Sequence, residues 1–203
     1  MTRWYAERKR DHYYKEAKKQ GYRARSAFKL LQIQNRYKVL KKGCIVIDLG
    51  ASPGGWSQIA ARYASVVIAV DLQPMKPLDK VIFVKGDITK DEIIEKIGEH
   101  IDEADVVISD ASPNITGNYT MDQARSVWLC ENALKIAKHF LRDGGNFVCK
   151  IFEGEDYPAF LEKVRKNFRM VKAHSPQASR KQSSEIYIIA KGFKRKENGP
   201  VGI

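Results

Sequence analysis

Three ionisable side chains lie at the ends of predicted strands, where they could meet and take part in proton transfer. Asp110 follows the apolar run 106–108, and Lys150 lies within the apolar run 147–151. A buried lysine is costly unless an opposite charge pairs with it, although its flexible stem also allows the ammonium to reach water. Glu185 begins the last predicted strand, and it lies at the same edge as Asp110 and Lys150 if that strand runs antiparallel to the others. Under that arrangement, two carboxylates and one ammonium converge.

Lys29 is a fourth candidate with a weaker signal. It lies in the first turn of a predicted helix over 27–36, for which Ser26 is a suitable N-cap. Taken alone, Lys29 is an ordinary surface lysine, and only its association with the other three residues would give it a chemical role.

A glycine-rich turn follows the first predicted strand and has the sequence DLGASPGGWS over 48–57. Glycines allow a tight turn and a close approach of the backbone to a ligand. The turn is not the dinucleotide fingerprint, because Ser52 stands where G-x-G-x-x-G requires glycine, and it lacks the Lys-Ser/Thr of a P-loop. A purely structural turn is the alternative. The candidate ligand-binding residues in the turn are Gly50, Gly54 and Gly55.

Two acidic residues follow the next two strands. Asp71 ends the second strand, 21 residues after Gly50. In doubly wound α/β folds, an acidic side chain at this position reaches ribose hydroxyls. Asp87 follows the third strand, where its carboxylate could accept a hydrogen bond from an adenine amino group, although it could also serve only as a helix cap. Together with the glycine turn, these positions indicate a small ligand that carries adenosine.

The elements that must position these residues alternate along the chain. Apolar strands are predicted near 44–47, 66–70, 81–84, 106–108, 147–151, 169–171 and 186–190, and helices near 4–19, 27–36, 55–64, 89–99, 120–141 and 157–166. Near-continuous apolar strands separated by helices indicate a mostly parallel sheet that is buried on both faces. The predicted class is therefore α/β and doubly wound. We expect a basic helical extension over 1–42, a globular domain over 43–191 and a basic tail over 192–203.

The net charge of +12 is distributed unevenly. Residues 1–42 hold 14 Lys/Arg and 3 Asp/Glu, residues 43–162 hold 11 and 19, and residues 163–184 hold 7 and none. The first segment also holds 7 of the 20 aromatic residues. Basic side chains bind phosphates by releasing counterions, and aromatic rings among them can stack on bases. Nucleic-acid contact by the N-terminal segment is favoured over a solvated basic helix that packs on the domain.

Several classes of protein are disfavoured by composition. No stretch approaches the ~20 apolar residues of a membrane span, and the N-terminus lacks the apolar core of a secretory signal. Cys44, Cys130 and Cys149 lie far apart, which favours reduced, buried thiols in a cytoplasmic protein. No metal site is expected, because neither the cysteines nor the four histidines show metal-ligand spacing.

The motifs together resemble the FtsJ/RrmJ family of S-adenosylmethionine-dependent RNA ribose 2′-O-methyltransferases. The matching segments are SAFKL at 26–30, DLGASPGGWSQ at 48–58, SDASPN at 109–114, the strand that carries Lys150, and SSEIY at 183–187. The resemblance extends from about residue 20 to 191. Because the chain has no added domain, it resembles the compact bacterial and archaeal members that modify large-subunit ribosomal RNA.

The resemblance implies a fold, a cofactor and a set of residue roles. The fold is a Rossmann-like methyltransferase sheet of seven mostly parallel strands, with the last strand antiparallel and helices on both faces. A catalytic tetrad would consist of Lys29, Asp110, Lys150 and Glu185, with Lys150 as the general base that takes the proton of a ribose 2′-hydroxyl. Such a base must first be neutral, which burial favours and neighbouring carboxylates oppose. S-adenosylmethionine would contact Gly50, Gly54, Gly55, Trp56, Asp71, Asp87 and Asp110.

The implied substrate is a uridine in large-subunit (23S-type) ribosomal RNA, recognised within a large-subunit particle, with no membrane association and no obligate protein partner. Three alternatives stay open. The RNA could be a transfer RNA anticodon loop, the protein could be a non-catalytic RNA-binding assembly factor, or it could be a nicotinamide-dependent oxidoreductase. The broken G-x-G-x-x-G pattern counts against the oxidoreductase.

Overall fold

The predicted alternation of strands and helices is present in the structure, a computed structural model that describes residues 12–179 and 184–195. The strands are β1 (Ile45–Leu49), β2 (Val66–Asp71), β3 (Val81–Lys85), β4 (Ala104–Ser109), β5 (Leu141–Phe152), β6 (Phe168–His174) and β7 (Glu185–Phe193). The helices are α1 (12–19), α2 (Ala27–Tyr37), α3 (Gly55–Ala60), α4 (Glu92–Gly98), α5 (Tyr119–Phe140) and α6 (Tyr157–Asn167). The predicted part 4–11 of the first helix lies outside the described residues.

The strands form one sheet in the order β3-β2-β1-β4-β5-β7-β6. Strands β1 to β5 pair in parallel, whereas β7 is antiparallel to both of its neighbours, β5 and β6. The predicted mostly parallel sheet with an antiparallel last strand is confirmed. The antiparallel direction brings the first residue of β7 to the edge at which β1, β4 and β5 end.

Each face of the sheet has its own apolar core, because successive side chains of a strand point to opposite faces. On one face, Val148 and Tyr187 pack with apolar residues of α1, α2 and α3, including Leu30 of α2. On the other face, Phe147 and Ile188 pack with residues of α4, α5 and α6. The predicted placement of helices on both faces is confirmed, and α2 lies on the face that carries the even-numbered side chains of β4 and β5.

Some predicted boundaries are wrong in detail. Strand β5 begins at Leu141, six residues earlier than predicted, and its register against β4 shifts between Ala104 and Val106. Ser26 occupies the N-cap position of α2 but makes no side-chain capping hydrogen bond. Its carbonyl instead accepts hydrogen bonds from the Lys29 amide and the Trp56 indole.

The cysteines behave as predicted: Cys44, Cys130 and Cys149 are free and buried. None of the helices in the described part of the chain has both the length and the apolar character required to cross a bilayer.

Candidate active site

Strand register brings the residues of the site to one edge of the sheet. Lys150 pairs directly with Tyr187 across the β5–β7 ladder, and Glu185 lies two residues before Tyr187 on the same face. Ser109 pairs with Cys149 between β4 and β5, so Asp110 emerges beside Lys150. The first turn of α2 covers this face and supplies Lys29.

The four ionisable side chains form one connected cluster. The Lys29 ammonium donates a hydrogen bond to Glu185 Oε2 at 2.8 Å. The Lys150 ammonium lies 3.8 Å from Glu185 Oε1 and 3.2 Å from Asp110 Oδ1, and it donates a hydrogen bond to the Asp110 carbonyl at 2.8 Å. Glu185 therefore bridges the two lysines, and Lys150 is held by both carboxylates.

The cluster is open on its carboxylate side. The side chains of Lys29 and Lys150 are only 8% and 6% exposed, against 18% for Glu185 and 15% for Asp110. Two buried positive charges are balanced by two negative charges, which offsets the cost of removing them from water. Such an arrangement can orient a hydroxyl, stabilise negative charge that develops on its oxygen and accept its proton.

Tyr187 belongs to the same cluster, although the sequence reasoning assigned it no role. Its hydroxyl donates a hydrogen bond to Asp110 Oδ1 at 2.7 Å, and the Lys29 ammonium lies 5.6 Å from the centre of its ring. Burial raises the pKa of Tyr187 well above its usual value, and the carboxylates of Asp110 and Glu185 raise it further. Tyr187 is therefore a neutral donor that fixes the orientation of Asp110. Its position two residues after Glu185 in SSEIY was the available signal.

The glycine turn lies at the same edge, beside the loop that follows Asp110. Gly50 has φ +73°, and a Cβ there would lie 2.7 Å from the Cα of Ala111. Gly54 has φ +107° and begins α3 as its N-cap. Both positions favour glycine, because L-residues rarely adopt positive φ, and at Gly50 the backbone of Ala111 also leaves no room for a Cβ. Gly55 and Trp56 open α3, and the buried Trp56 ring packs against Tyr187 at 5.8 Å between centroids.

Asp71 holds the glycine turn against the end of β2. Its Oδ2 accepts a hydrogen bond from the Ser52 amide at 2.9 Å, and its Oδ1 accepts one from the Gln73 amide at 2.7 Å. Asp87 lies beyond β3 at the same edge, and its Oδ1 accepts hydrogen bonds from the amide and hydroxyl of Thr89. Asp87 thus caps a turn ahead of α4 and is not the cap of that helix, because the N-cap of α4 is Asp91.

The segment that leads into α2 packs directly on the glycine turn. The Arg23 guanidinium donates hydrogen bonds to the carbonyls of Pro53, Lys76 and Pro77 at 3.3, 2.5 and 2.7 Å. The Arg23 amide also donates to Gln58 Oε1 at 2.7 Å. These contacts fix the glycine turn, the loop after β2 and the helix that carries Lys29 relative to one another. The sequence reasoning did not identify Arg23, because its partners are backbone carbonyls far away in the chain.

Asp48 lies beneath the glycine turn and is fully buried. Its Oδ2 accepts a hydrogen bond from the Ser57 hydroxyl at 2.6 Å, whereas its Oδ1 has no hydrogen-bond partner among the described residues. Burial raises the pKa of Asp48 to about 7, with smaller upward contributions from the charges of Asp110 and Asp71 and an opposing one from Ser57. No group of three or more His, Cys, Asp or Glu side chains within residues 12–179 and 184–195 is arranged to hold a metal ion.

Comparison with known proteins places these residues in a family context. The family model described as FtsJ-like methyltransferase matches residues 22–193. Curated relatives named ribosomal RNA large subunit methyltransferase E occur in Archaeoglobus fulgidus, with 51% identity over 92% of this chain and 98% of the relative, and in Methanocaldococcus jannaschii, with 49% identity over 96% and 83%. A solved structure from Plasmodium falciparum, provisionally described as a ribosomal RNA methyltransferase, is 28% identical and superposes with a TM-score of 0.76 over 85% of this chain and 98% of that one.

Proposed function

The chain belongs to the FtsJ-like methyltransferase family, and from that premise we propose that it transfers a methyl group from S-adenosylmethionine to a ribose 2′-hydroxyl of RNA. The substrate is a uridine of large-subunit ribosomal RNA. The curated relatives are named for the large-subunit RNA, and the uridine comes from the family resemblance. The observation that carries the proposal is the cluster of two buried lysines and two carboxylates at the sheet edge, next to the glycine turn.

The residues at this edge fit S-adenosylmethionine. Gly50 and Gly54 place no Cβ at the two ends of the turn, and the carboxylate of Asp71 stands where a ribose diol would be recognised. Gly55, Trp56, Asp87 and Asp110 complete the proposed binding set, Trp56 by packing beneath the turn and Asp110 at the junction with the catalytic cluster. When bound, S-adenosylmethionine supplies a methyl group that its positive sulfur makes electrophilic.

The protein's own contribution is the handling of one proton and the alignment of one hydroxyl. Lys150 in its neutral form takes the proton from the ribose 2′-hydroxyl, and Asp110 and Glu185 keep its amine in place through the contacts at 2.8–3.8 Å. The Lys29 ammonium, held by Glu185 through a hydrogen bond at 2.8 Å, stabilises the negative charge that develops on the 2′-oxygen. Alignment by four fixed side chains reduces the entropy cost of the reaction.

The basic segments are the proposed contact surface for RNA. Residues 1–42 and 163–184 carry net charges of +11 and +7, and the segment 12–42 packs on the face of the sheet that bears the four catalytic candidates. We therefore assign RNA contact to the N-terminal segment and methyl transfer to residues 43–191 together with Lys29, with the site facing a large-subunit particle in the cytoplasm. Phosphates neutralised by lysine and arginine release counterions, which supplies sequence-independent affinity.

The proposal is tested by methylating defined RNAs with the purified protein. Methyl-labelled S-adenosylmethionine is supplied with large-subunit ribosomal RNA, intact large subunits or transfer RNA, each from cells that lack the modification. A 2′-O-methyl group protects the adjacent phosphodiester from alkaline cleavage, so a protected uridine in the large-subunit RNA is expected. Protection only in transfer RNA would show that transfer RNA, not ribosomal RNA, is the substrate. A labelled methyl group on a base would contradict methylation of the ribose 2′-hydroxyl. RNA binding without methyl transfer would indicate a non-catalytic assembly factor.

A further inference from the structure

Three large apolar side chains are exposed along one rim of the candidate active site. Ile115, Tyr119 and Met121 are 64%, 63% and 44% exposed, and they lie within a segment that begins directly after Asp110. The whole segment 111–121 contains no charged residue, in a chain in which 30% of residues are charged. Exposed apolar surface often marks an interaction site. Because this segment carries no charge, an uncharged ligand is favoured.

Tyr119 is fixed to the two strands that carry the catalytic candidates. Its hydroxyl donates a hydrogen bond to the Glu153 carbonyl at 3.2 Å, and the Gln123 side-chain amide donates to the same carbonyl at 2.5 Å. The Glu153 amide donates in turn to the Ser184 carbonyl at 2.9 Å. Glu153 is three residues beyond Lys150, which is about 10 Å along a strand, and Ser184 directly precedes Glu185. The Tyr119 hydroxyl is therefore tied to the backbone about 10 Å beyond Lys150, at the edge where β5 ends and β7 begins.

The loop that presents these side chains is held in one conformation. The Asp122 carboxylate accepts hydrogen bonds from the amide and hydroxyl of Thr116 and from the Gly117 amide. The Asn118 side chain caps α5 by accepting a hydrogen bond from the Met121 amide. The Tyr119 hydroxyl is therefore already hydrogen-bonded within the protein. The exposed face of its ring is available for contact with a ligand.

We propose that Tyr119, flanked by Ile115 and Met121, is a stacking platform for the base of an RNA nucleotide next to the methylated ribose. The inference rests on the proposed function and extends it to substrate recognition. Bases stack on aromatic rings irrespective of sequence, because every base has a π-face. The absence of charge in 111–121 suits a neutral base, whereas the phosphates go to the basic segments.

Variants at Tyr119 separate stacking from a merely structural role. Tyr119→Ala removes the ring and should raise the Kd for an RNA oligonucleotide about 5- to 50-fold, with a matching rise in KM for RNA and kcat within about threefold. Tyr119→Phe keeps the ring and loses only the hydrogen bond to Glu153, so its Kd should stay within about threefold of wild type. Tyr119→Leu keeps apolar area without a π-face and should resemble the alanine variant.

The matched control is Trp128→Ala. Trp128 is another exposed aromatic residue of α5, nine residues further along, which places it about 13 Å away and on the opposite side of the helix. This variant should bind RNA like wild type, and all four variants should bind S-adenosylmethionine with unchanged affinity in calorimetry.

The decisive readout is binding, which does not depend on methyl transfer. An oligonucleotide with 2-aminopurine next to the target nucleotide should lose fluorescence on binding to wild type and to Tyr119→Phe, and much less on binding to Tyr119→Ala. Equal defects in RNA affinity and quenching for the alanine and phenylalanine variants would show that only the hydrogen bond of the Tyr119 hydroxyl matters. That result would overturn the proposal. So would wild-type quenching and affinity in Tyr119→Ala. Loss of methyl transfer with normal quenching would instead contradict the proposed function alone.

Discussion

The ammonium group of Lys29 lies 2.8 Å from Glu185 Oε2, although 156 residues separate the two in the chain. This contact joins the first turn of α2 to the first residue of β7. Because the other carboxylate oxygen of Glu185 faces Lys150 at 3.8 Å, Glu185 sets the distance between the two lysines.

Replacement of Glu185 should therefore impair catalysis more than cofactor binding. Glu185→Ala leaves Lys29 buried without its principal acceptor, and we expect kcat to fall about 10- to 100-fold while the Kd for S-adenosylmethionine changes less than threefold. Glu185→Gln keeps an acceptor oxygen for Lys29 and should recover part of the rate. Single-turnover rates with calorimetry measure both quantities, and an alanine variant with full kcat would show that the bridge has no role in the reaction.

Gly50 should be intolerant of a side chain for two separable reasons. Gly50→Ala places a residue at φ +73° and a Cβ 2.7 Å from the Cα of Ala111. Gly21→Ala is the matched control, since Gly21 also has φ +73° but a Cβ there would meet nothing within 4 Å. We expect the control to lose about 1 kcal/mol of unfolding free energy from backbone strain alone, and Gly50→Ala to lose more and to bind S-adenosylmethionine at least tenfold more weakly. Equal effects of the two substitutions in denaturant titrations and calorimetry would mean that the approach to Ala111 is unimportant.

Asp48 should make the stability of the protein depend on pH. Its pKa is raised to about 7 in the folded protein, so between about pH 4 and 7 the native state holds a proton that the unfolded chain has lost. The stabilisation from this proton is complete below about pH 4 and is lost as the pH rises through 7. Asp48→Asn cannot ionise, so its Tm relative to wild type should increase from pH 5 to pH 8. Asp102→Asn, at an exposed position, is the control; a Tm difference for Asp48→Asn that does not vary with pH would show that the buried carboxyl does not titrate in this range.

Much of the fold was predictable from sequence, because buried parallel strands leave continuous apolar runs such as Val66 to Val70. The edge at which Asp110 and Lys150 meet follows from strand direction alone. The contact of Lys29 with Glu185 was not predictable from pattern, since a lysine in a first helical turn has no distinctive neighbours, and only the family resemblance linked Lys29 to the site.

Two contacts in the site, those of Tyr187 and Arg23, could not be predicted from the sequence. The contact of Tyr187 with Asp110 depends on the pairing of β5 with β7, and a shift of one residue would turn Tyr187 to the other face. The bonds of Arg23 to backbone carbonyls depend on loop conformation, which no residue pattern encodes.

The role of Lys150 is tested most directly by methyl transfer from the Lys150→Ala variant at saturating RNA and S-adenosylmethionine, with cofactor affinity measured on the same preparation. We expect transfer to fall at least a thousandfold, because the proposed general base is gone and Asp110 and Glu185 each lose one of their partners, while cofactor affinity stays within a few-fold of wild type. A variant that binds the cofactor normally and still methylates RNA at the wild-type rate would contradict the assignment of Lys150 as the base.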